Sequence, residues 1–283
     1  MIRIAIQSKG RLNEDSLALL RDIGIDVDAP KRKLVSRSQN FPLEALYLRD
    51  DDIPQVVAGG TATFGIVGLN EVEERAADVD IVARLGFGTC RLSLAIPKGE
   101  PYEGPAWFNG RKIATSYPGI LRRYLDANGI DARIEVITGS VEIAPAVGIA
   151  DAIFDIVSSG STLIANGLKE VETAMESEAV LIARKGLDTQ EQELLEDLLF
   201  RIGTETVSKG KKYLLMNLPR TALDQALRIL PAMRSPTVMP LATEDWCSLH
   251  SVVNASELWT KVRQLKAIGA EGILVMDIDK IIL

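Results

Sequence analysis

One histidine, His250, and two widely separated cysteines, Cys90 and Cys247, are all that 283 residues hold of the side chains most used for nucleophilic and metal chemistry. His250 lies within an apolar strand pattern, where packing is its ordinary role, so a Ser-His-Asp triad is not expected. The cysteines show no metal-ligand spacing, which argues against a zinc site, and reduced thiols of a cytoplasmic protein are the expected state. No apolar run reaches the ~18–20 residues that span a bilayer. The N-terminal Met-Ile-Arg-Ile-Ala-Ile-Gln has strand alternation and lacks the apolar run and cleavage site of a signal peptide. A basic excess is missing too. The net charge of −7 argues against a general nucleic-acid or membrane-surface binder. An anionic ligand would need locally concentrated cations, and the first 50 residues supply them.

What is present is an ordinary globular composition, 47% hydrophobic and 25% charged, in a chain longer than one core usually serves. Two or three domains are expected. Strand and helix patterns alternate through most of the chain, as in α/β folds.

The stretch 142–163 organises this pattern. Ala152-Ile-Phe-Asp-Ile-Val157 reads as a buried parallel strand. Ser158, Ser159, Gly160, Ser161 and Thr162 follow at once, and residues 162–167 read as a short helix closed by its glycine. Such a turn suits a phosphate, because Gly160 lets the backbone approach, the helix start offers N–H groups and the hydroxyls donate. Taken alone, a Ser/Gly/Thr loop is just as often a plain connection. Asp155, on the strand just before it, suits ribose hydroxyls.

Lys9 and Arg11 flank Gly10 where the strand 2–7 hands over to a helix at 12–23, for which Asn13 reads as the N-cap. The tripeptide by itself reads more readily as a solvated loop. The run 31–33, which holds Arg32, reads as a solvated turn. Strand 43–48 ends at Arg49, and Asp50, Asp51 and Asp52 precede a helix that carries Pro54 in its first turn. Acids there complement the helix dipole, a reading preferred over magnesium binding. Gly86 and Gly88 read equally as a turn or as a crossing between lobes. Tyr117 and Pro118 lead from strand 113–115 into a helix; the tyrosine either stacks on a base or covers apolar surface. Residues 134–137 form a strand and Glu142 sits on the helix that follows. From 213 onward the order is strand, helix, strand, strand, helix, strand, a ferredoxin-like βαββαβ module of the kind that binds small effectors. Thr237 and Gly272 occupy its loop or strand-end positions.

Glu142, then five residues, Gly148, Ala150, Asp155 and Ser159-Gly160-x-Thr162-Leu163 together resemble the signature of the ATP phosphoribosyltransferase family, which opens histidine biosynthesis. Lys9-Gly10-Arg11, the run from Arg49 to Pro54, Phe64-Gly65-Ile66-Val67-Gly68, Arg91-Leu92-Ser93-Leu94, the run from Ile113 to Pro118 and Gly139-Ser140-Val141-Glu142 look like further landmarks. The tail looks like the regulatory domain of the family's long form; the short form lacks it and depends on a partner resembling histidyl-tRNA synthetase.

The resemblance implies an α/β, two-lobed, periplasmic-binding-protein-like catalytic core plus a C-terminal regulatory domain. Its divisions would be 1–90 with 178–208, then 91–177, then 211–283. It implies transfer of the phosphoribosyl group of phosphoribosyl pyrophosphate to the adenine ring of ATP with Mg²⁺, feedback inhibition by histidine, and homo-oligomers from dimer to hexamer. Carried onto this chain, Lys9, Arg11 and Arg49 face the pyrophosphate, Ser158 to Thr162 the 5′-phosphate and Asp155 the ribose. Arg32 and Tyr117 are weaker candidates on the ATP side, and Thr237 and Gly272 are regulatory ones. No residue is named as a metal ligand. The rival readings are a solute-binding protein of the same architecture and a phosphoribosyltransferase for another base.

Overall fold

The computed structural model describes residues 2–28, 34–230 and 236–282. The chain runs β1 (Ile2–Gln7), α1 (Arg11–Asp22), β2 (Val35–Arg37), β3 (Leu43–Leu48), α2 (Ile53–Ala58), β4 (Phe64–Gly68), α3 (Leu69–Arg75) and β5 (Val79–Arg84). It continues through β6 (Cys90–Pro97), β7 (Lys112–Thr115), α4 (Pro118–Ala127), β8 (Arg133–Val136), β9 (Ala152–Val157), α5 (Ser161–Ala165), β10 (Leu168–Ser177) and β11 (Ala179–Arg184). Then come α6 (Thr189–Ser208), β12 (Lys211–Pro219), α7 (Leu223–Ile229), β13 (Thr237–Pro240), β14 (Trp246–Asn254), α8 (Leu258–Ala267) and β15 (Glu271–Asp277). Two compact units result, Met1–Glu196 and Asp197–Leu283, divided within α6.

The first unit holds a six-stranded sheet, β2-β3-β1-β4-β11-β5, and a five-stranded sheet, β10-β6-β9-β7-β8. β1 is parallel to β3 and β4, and β7 is parallel to β8 and β9. The remaining pairings, β6 with β9 among them, are antiparallel. β4 and β11 are buried almost throughout because both faces are covered, and their sequences are continuous apolar runs for that reason. Gly65 is required there: a Cβ would lie 2.9 Å from Ile53 Cγ2 and 3.1 Å from an Ile182 side-chain carbon, so any larger residue forces α2 away from the sheet. In the second sheet Leu92, Leu94 and Phe154 pack on one side with Phe108 and Leu121. Ile153 and Val157 pack on the other with Val141 and Leu163. Alternation along β9 puts Asp155 on the Ile153 and Val157 face.

The chain passes between these sheets twice, at 84–90 and 177–179, so Gly86 and Gly88 lie in a crossing rather than a hairpin turn. Both adopt positive φ, 70° and 63°. Glu178 pins the crossing by accepting from Gly86 N and Arg84 Nη1, each at 3.0 Å.

In the second unit β13-β14-β12-β15 form one antiparallel sheet. This is the strand order that the βαββαβ sequence pattern calls for. Leu214, Met216, Leu218, Cys247, Leu249 and Val253 make its core with Ala226 and Leu265. His250 is half-buried, with Tyr213 Oη 2.8 Å from Nδ1 and Ser248 Oγ 3.1 Å from Nε2. Cys90 and Cys247 are both free thiols. Among the described residues no helix is long and apolar enough to cross a membrane.

Three local expectations are corrected. Asn13 does not cap α1; the cap position is Gly10, and Asn13 is buried inside the helix, donating from Nδ2 to Gln7 O at 2.5 Å. Glu142 lies in a three-residue 3-10 turn, Val141–Ile143, not in an α-helix. β10 stands where no strand was expected, since its Lys-Glu-Val-Glu-Thr-Ala-Met-Glu carries little apolar alternation.

Candidate active site

The cations come from the first sheet. β1 ends at Gln7, Ser8 N donates to Leu48 O at 2.7 Å, and Gly10 turns the chain with φ 92°. Lys9 and Arg11 are exposed on this turn, Arg11 Nε lying 3.9 Å from Asp15 Oδ2. Arg49 follows β3 and is clamped by a fork: its Nε and Nη2 donate to the two oxygens of Asp51 at 3.1 and 3.2 Å. Arg75 Nη2 reaches Asp51 Oδ2 at 3.3 Å, so one carboxylate holds two guanidiniums. Asp50 and Asp51 belong to the 3-10 turn that opens directly into α2.

The hydroxyls come from the second sheet. After β9, Ser158 and Ser159 are exposed and Gly160 takes φ 77°. Ser159 Oγ lies 2.9 Å from Ser161 Oγ. α5 starts at Ser161, one residue earlier than the sequence suggests, and spans only five residues. A helix this short carries little dipole, so any anion here is held by loop N–H groups and hydroxyls rather than by a helix terminus. Asp155 is half-buried and its Oδ1 accepts from Ile156 N at 2.8 Å. Burial, reinforced by the charge of Glu142, pushes its carboxyl above the ordinary aspartate range.

Between the two sheets lies a buried tie. Tyr117 Oη donates to Glu71 Oε1 at 2.9 Å, and Asn70 Nδ2 donates to the same carboxylate at 2.9 Å. Ser177 Oγ joins the group, accepting from Asn70 N at 3.0 Å and donating to Asn70 Oδ1 at 2.9 Å. One turn further along α3, Glu74 accepts from Gly119 N and Ile120 N, each at 2.8 Å, satisfying the open N–H groups that begin α4. Burial pushes the Glu71 carboxyl up, opposed by the Tyr117 bond. Burial also pushes the Tyr117 phenol up, with the Glu71 charge adding to it.

A cavity of about 400 Å³ opens beside this tie, lined by Arg49, Asp50 and Asp51 from one sheet and Ser116, Tyr117 and Thr138 from the other. The structure thus brings Arg49 and Tyr117 to one space. Ser158 lines a second cavity of about 350 Å³ with Arg84, Arg91 and Glu178. Lys9, Arg11, Asp155 and residues 159–162 line neither. Arg32 lies outside the described residues. Thr237 begins one edge strand of the C-terminal sheet and Gly272, with φ 57°, lies on the opposite edge strand. Three strand spacings separate those edges, about 14 Å.

Sequence reasoning missed the tie. Nothing local marks Glu71 among the acids of 71–74, because its partner Tyr117 is 46 residues away. It also missed Glu170, whose partner Arg91 is 79 residues distant. The sequence reads Tyr117 as a base-stacking or surface residue; the structure uses its hydroxyl to join the sheets.

Family models and known proteins match the chain over nearly all of its length. The family model described as "HisG: ATP phosphoribosyltransferase" matches residues 49–204, and that described as "HisG, C-terminal domain" matches residues 208–280. The ATP phosphoribosyltransferase of Phocaeicola vulgatus is 58% identical over 283 residues, covering 100% of both chains. That of Bacteroides thetaiotaomicron is 56% identical over 282 residues, again at 100% of both. Among solved structures, the ATP phosphoribosyl transferase (HisG:HisZ) complex from Thermotoga maritima aligns with a TM-score of 0.62 at 26% identity, covering 72% of this chain and 99% of that one. A probable amino-acid transporter extracellular-binding protein from Bacillus subtilis shares the fold alone, with a TM-score of 0.50 at 13% identity over 74% of this chain and 92% of that one. The core is therefore two-lobed and periplasmic-binding-protein-like, with a separate C-terminal domain, and the chain belongs to the ATP phosphoribosyltransferase family.

Proposed function

We propose that the facing rims of the two lobes hold phosphoribosyl pyrophosphate and ATP, and that the chain joins the donor's anomeric carbon to the adenine ring with loss of pyrophosphate. This is the first step of histidine biosynthesis. One observation carries the site assignment: the loops after β1, β3, β7 and β9 all leave the carboxyl ends of parallel strands, where open α/β sheets bind ligands. As the bond to pyrophosphate breaks, positive charge builds on the ribose ring and negative charge on the leaving group. Catalysis is then mainly positioning and charge stabilisation, without a covalent nucleophile. Lys9, Arg11 and Arg49 meet the pyrophosphate, the guanidinium forks matching its oxygens. Ser158, Ser159, Gly160, Ser161 and Thr162 hold the 5′-phosphate and Asp155 the ribose hydroxyls. Arg32 is a weaker candidate for the ATP side and Tyr117 a weaker one still.

Mg²⁺ enters as the counter-ion of the diphosphate, held largely by its oxygens and water. The acids beside Arg49 are already engaged, Asp51 forked by Arg49 and Asp50 Oδ2 accepting from Gln7 Nε2 at 3.3 Å, so no residue of the chain is assigned as a metal ligand. Residues 1–90 with 178–208 form one lobe, 91–177 the other and 211–283 the regulatory domain, where histidine inhibits and Thr237 and Gly272 contribute. The enzyme works in the cytoplasm as a homo-oligomer, from dimer to hexamer.

The test is pyrophosphate release with the donor and ATP, repeated with free nucleobases. Release with ATP alone is expected; release with a nucleobase would transfer the chain to another specificity, and binding without release would make it a solute-binding protein. Removing residues 209–283 is expected to abolish inhibition by histidine, and persistent inhibition would place the effector in the catalytic lobes.

A further inference from the structure

Arg91 is the second residue of β6, which lies in the second sheet between β9 and the edge strand β10. Its side chain makes three directed contacts. Nε and Nη2 donate to the two oxygens of Glu170 on β10, each at 2.5 Å, and Nη1 donates to the main-chain carbonyl of Ser158 at 3.2 Å. Glu170 is fixed in turn by Ser93 Oγ at 2.7 Å and by Thr173 Oγ1 at 3.4 Å. The β10–β6 register shifts between Glu170 and Glu172 and again between Thr173 and Met175. Hydrogen bonds from Arg91 and Ser93 hold the Glu170 carboxyl below the ordinary glutamate range, so the fork stays ionised on both sides at neutral pH.

From this geometry we infer that Arg91, locked by Glu170, is the positioning residue of the 158–162 loop: its third N–H anchors the Ser158 carbonyl and so sets the loop's backbone for the donor's phosphate. The inference rests on the phosphate reading of that loop given above. Five N–H donors in a rigid plane allow one guanidinium to fork a carboxylate and still hold a carbonyl. Lysine has a compact ammonium and cannot span both partners. The arrangement has a functional reading because the carboxylate and guanidinium compensate each other's charge, leaving the geometry of the carbonyl as what Arg91 adds. Ser158 also lines the cavity that Arg91 borders, so the anchored carbonyl lies at an open site and not inside a core.

The experiment is steady-state kinetics of the full-length enzyme on Arg91→Lys, Glu170→Gln and, as a control on the loop, Thr162→Val. Arg91→Lys is expected to raise the KM for phosphoribosyl pyrophosphate about tenfold while the KM for ATP stays within about twofold, the loss of one charge-assisted hydrogen bond. Glu170→Gln frees the guanidinium and is expected to give a smaller change of the same kind; the double variant should lose less than the sum. A parallel rise in both KM values, or a fall in kcat alone, would show a merely structural or other role and overturn the inference. An unchanged donor KM for Arg91→Lys beside a raised one for Thr162→Val overturns it while leaving the phosphate loop standing. An unchanged donor KM for Thr162→Val removes the phosphate loop and the inference with it. Should Arg91→Lys fail to fold, Glu170→Gln decides on the same criterion.

Discussion

The two lobes offer their ligands opposite chemistry. The rim of the six-stranded sheet presents cations, with Lys9 and Arg11 exposed and Arg49 forked on Asp51. The rim of the five-stranded sheet presents hydroxyls, backbone N–H groups and one half-buried acid, Asp155. A chain with a net charge of −7 thus places Lys9, Arg11 and Arg49 together on one rim, where Asp51 also pairs with Arg49. On the opposite rim stands Asp155, the residue proposed for the ribose hydroxyls. The division teaches that the two rims differ in chemistry although one buried tie, Tyr117 to Glu71, joins them.

The comparison breaks first, and hardest, at Arg49. Arg49→Ala is expected to lower turnover by roughly 10- to 1,000-fold with the fold intact, since it removes a preorganised partner of the leaving group. Near-normal kcat with an unchanged circular dichroism spectrum would take the leaving group away from the six-stranded rim.

Asp155 sharpens the contrast through pH. Its carboxyl is raised by burial, and the role assigned here needs the ionised form. Activity should therefore climb with pH through a range above that of ordinary aspartates. Asp155→Asn should lower kcat/KM about 10- to 100-fold at neutral pH and erase that acidic limb. A limb that persists in the variant belongs to another group.

The smallest effect is expected in the tie. Glu71 is raised in the folded state, so folded protein binds the extra proton, and stability falls as pH rises from the ordinary glutamate range through the raised value. Glu71→Gln keeps an acceptor for Tyr117 and should flatten that part of the stability–pH curve, whose slope for one proton is at most about 1.4 kcal/mol per pH unit. Parallel curves for the two proteins in denaturant titrations would show that Glu71 does not titrate there.

Much of this was legible in the residues. The apolar runs at 64–68 and 152–157 announced buried strands, and the C-terminal strand and helix alternation announced the order that β12 to β15 adopt. β10 was not legible, because a strand half covered and rich in Lys, Glu and Thr lacks a period-2 apolar signal. Nor were Arg91–Glu170 and Tyr117–Glu71, whose members meet only after the chain has crossed between sheets or closed one.

Local sequence by itself determined where strands hand over to loops, and so which residues stand on a rim: backbone conformation there depends on near neighbours, on Gly10 and Gly160 adopting positive φ and on apolar patterning. The tertiary structure alone decided which rim residues share a space and which side chains hold them still. Arg49 lines one cavity with Tyr117, and Arg91 fixes the Ser158 carbonyl, because sheet order and the two crossings set distances that no local pattern encodes.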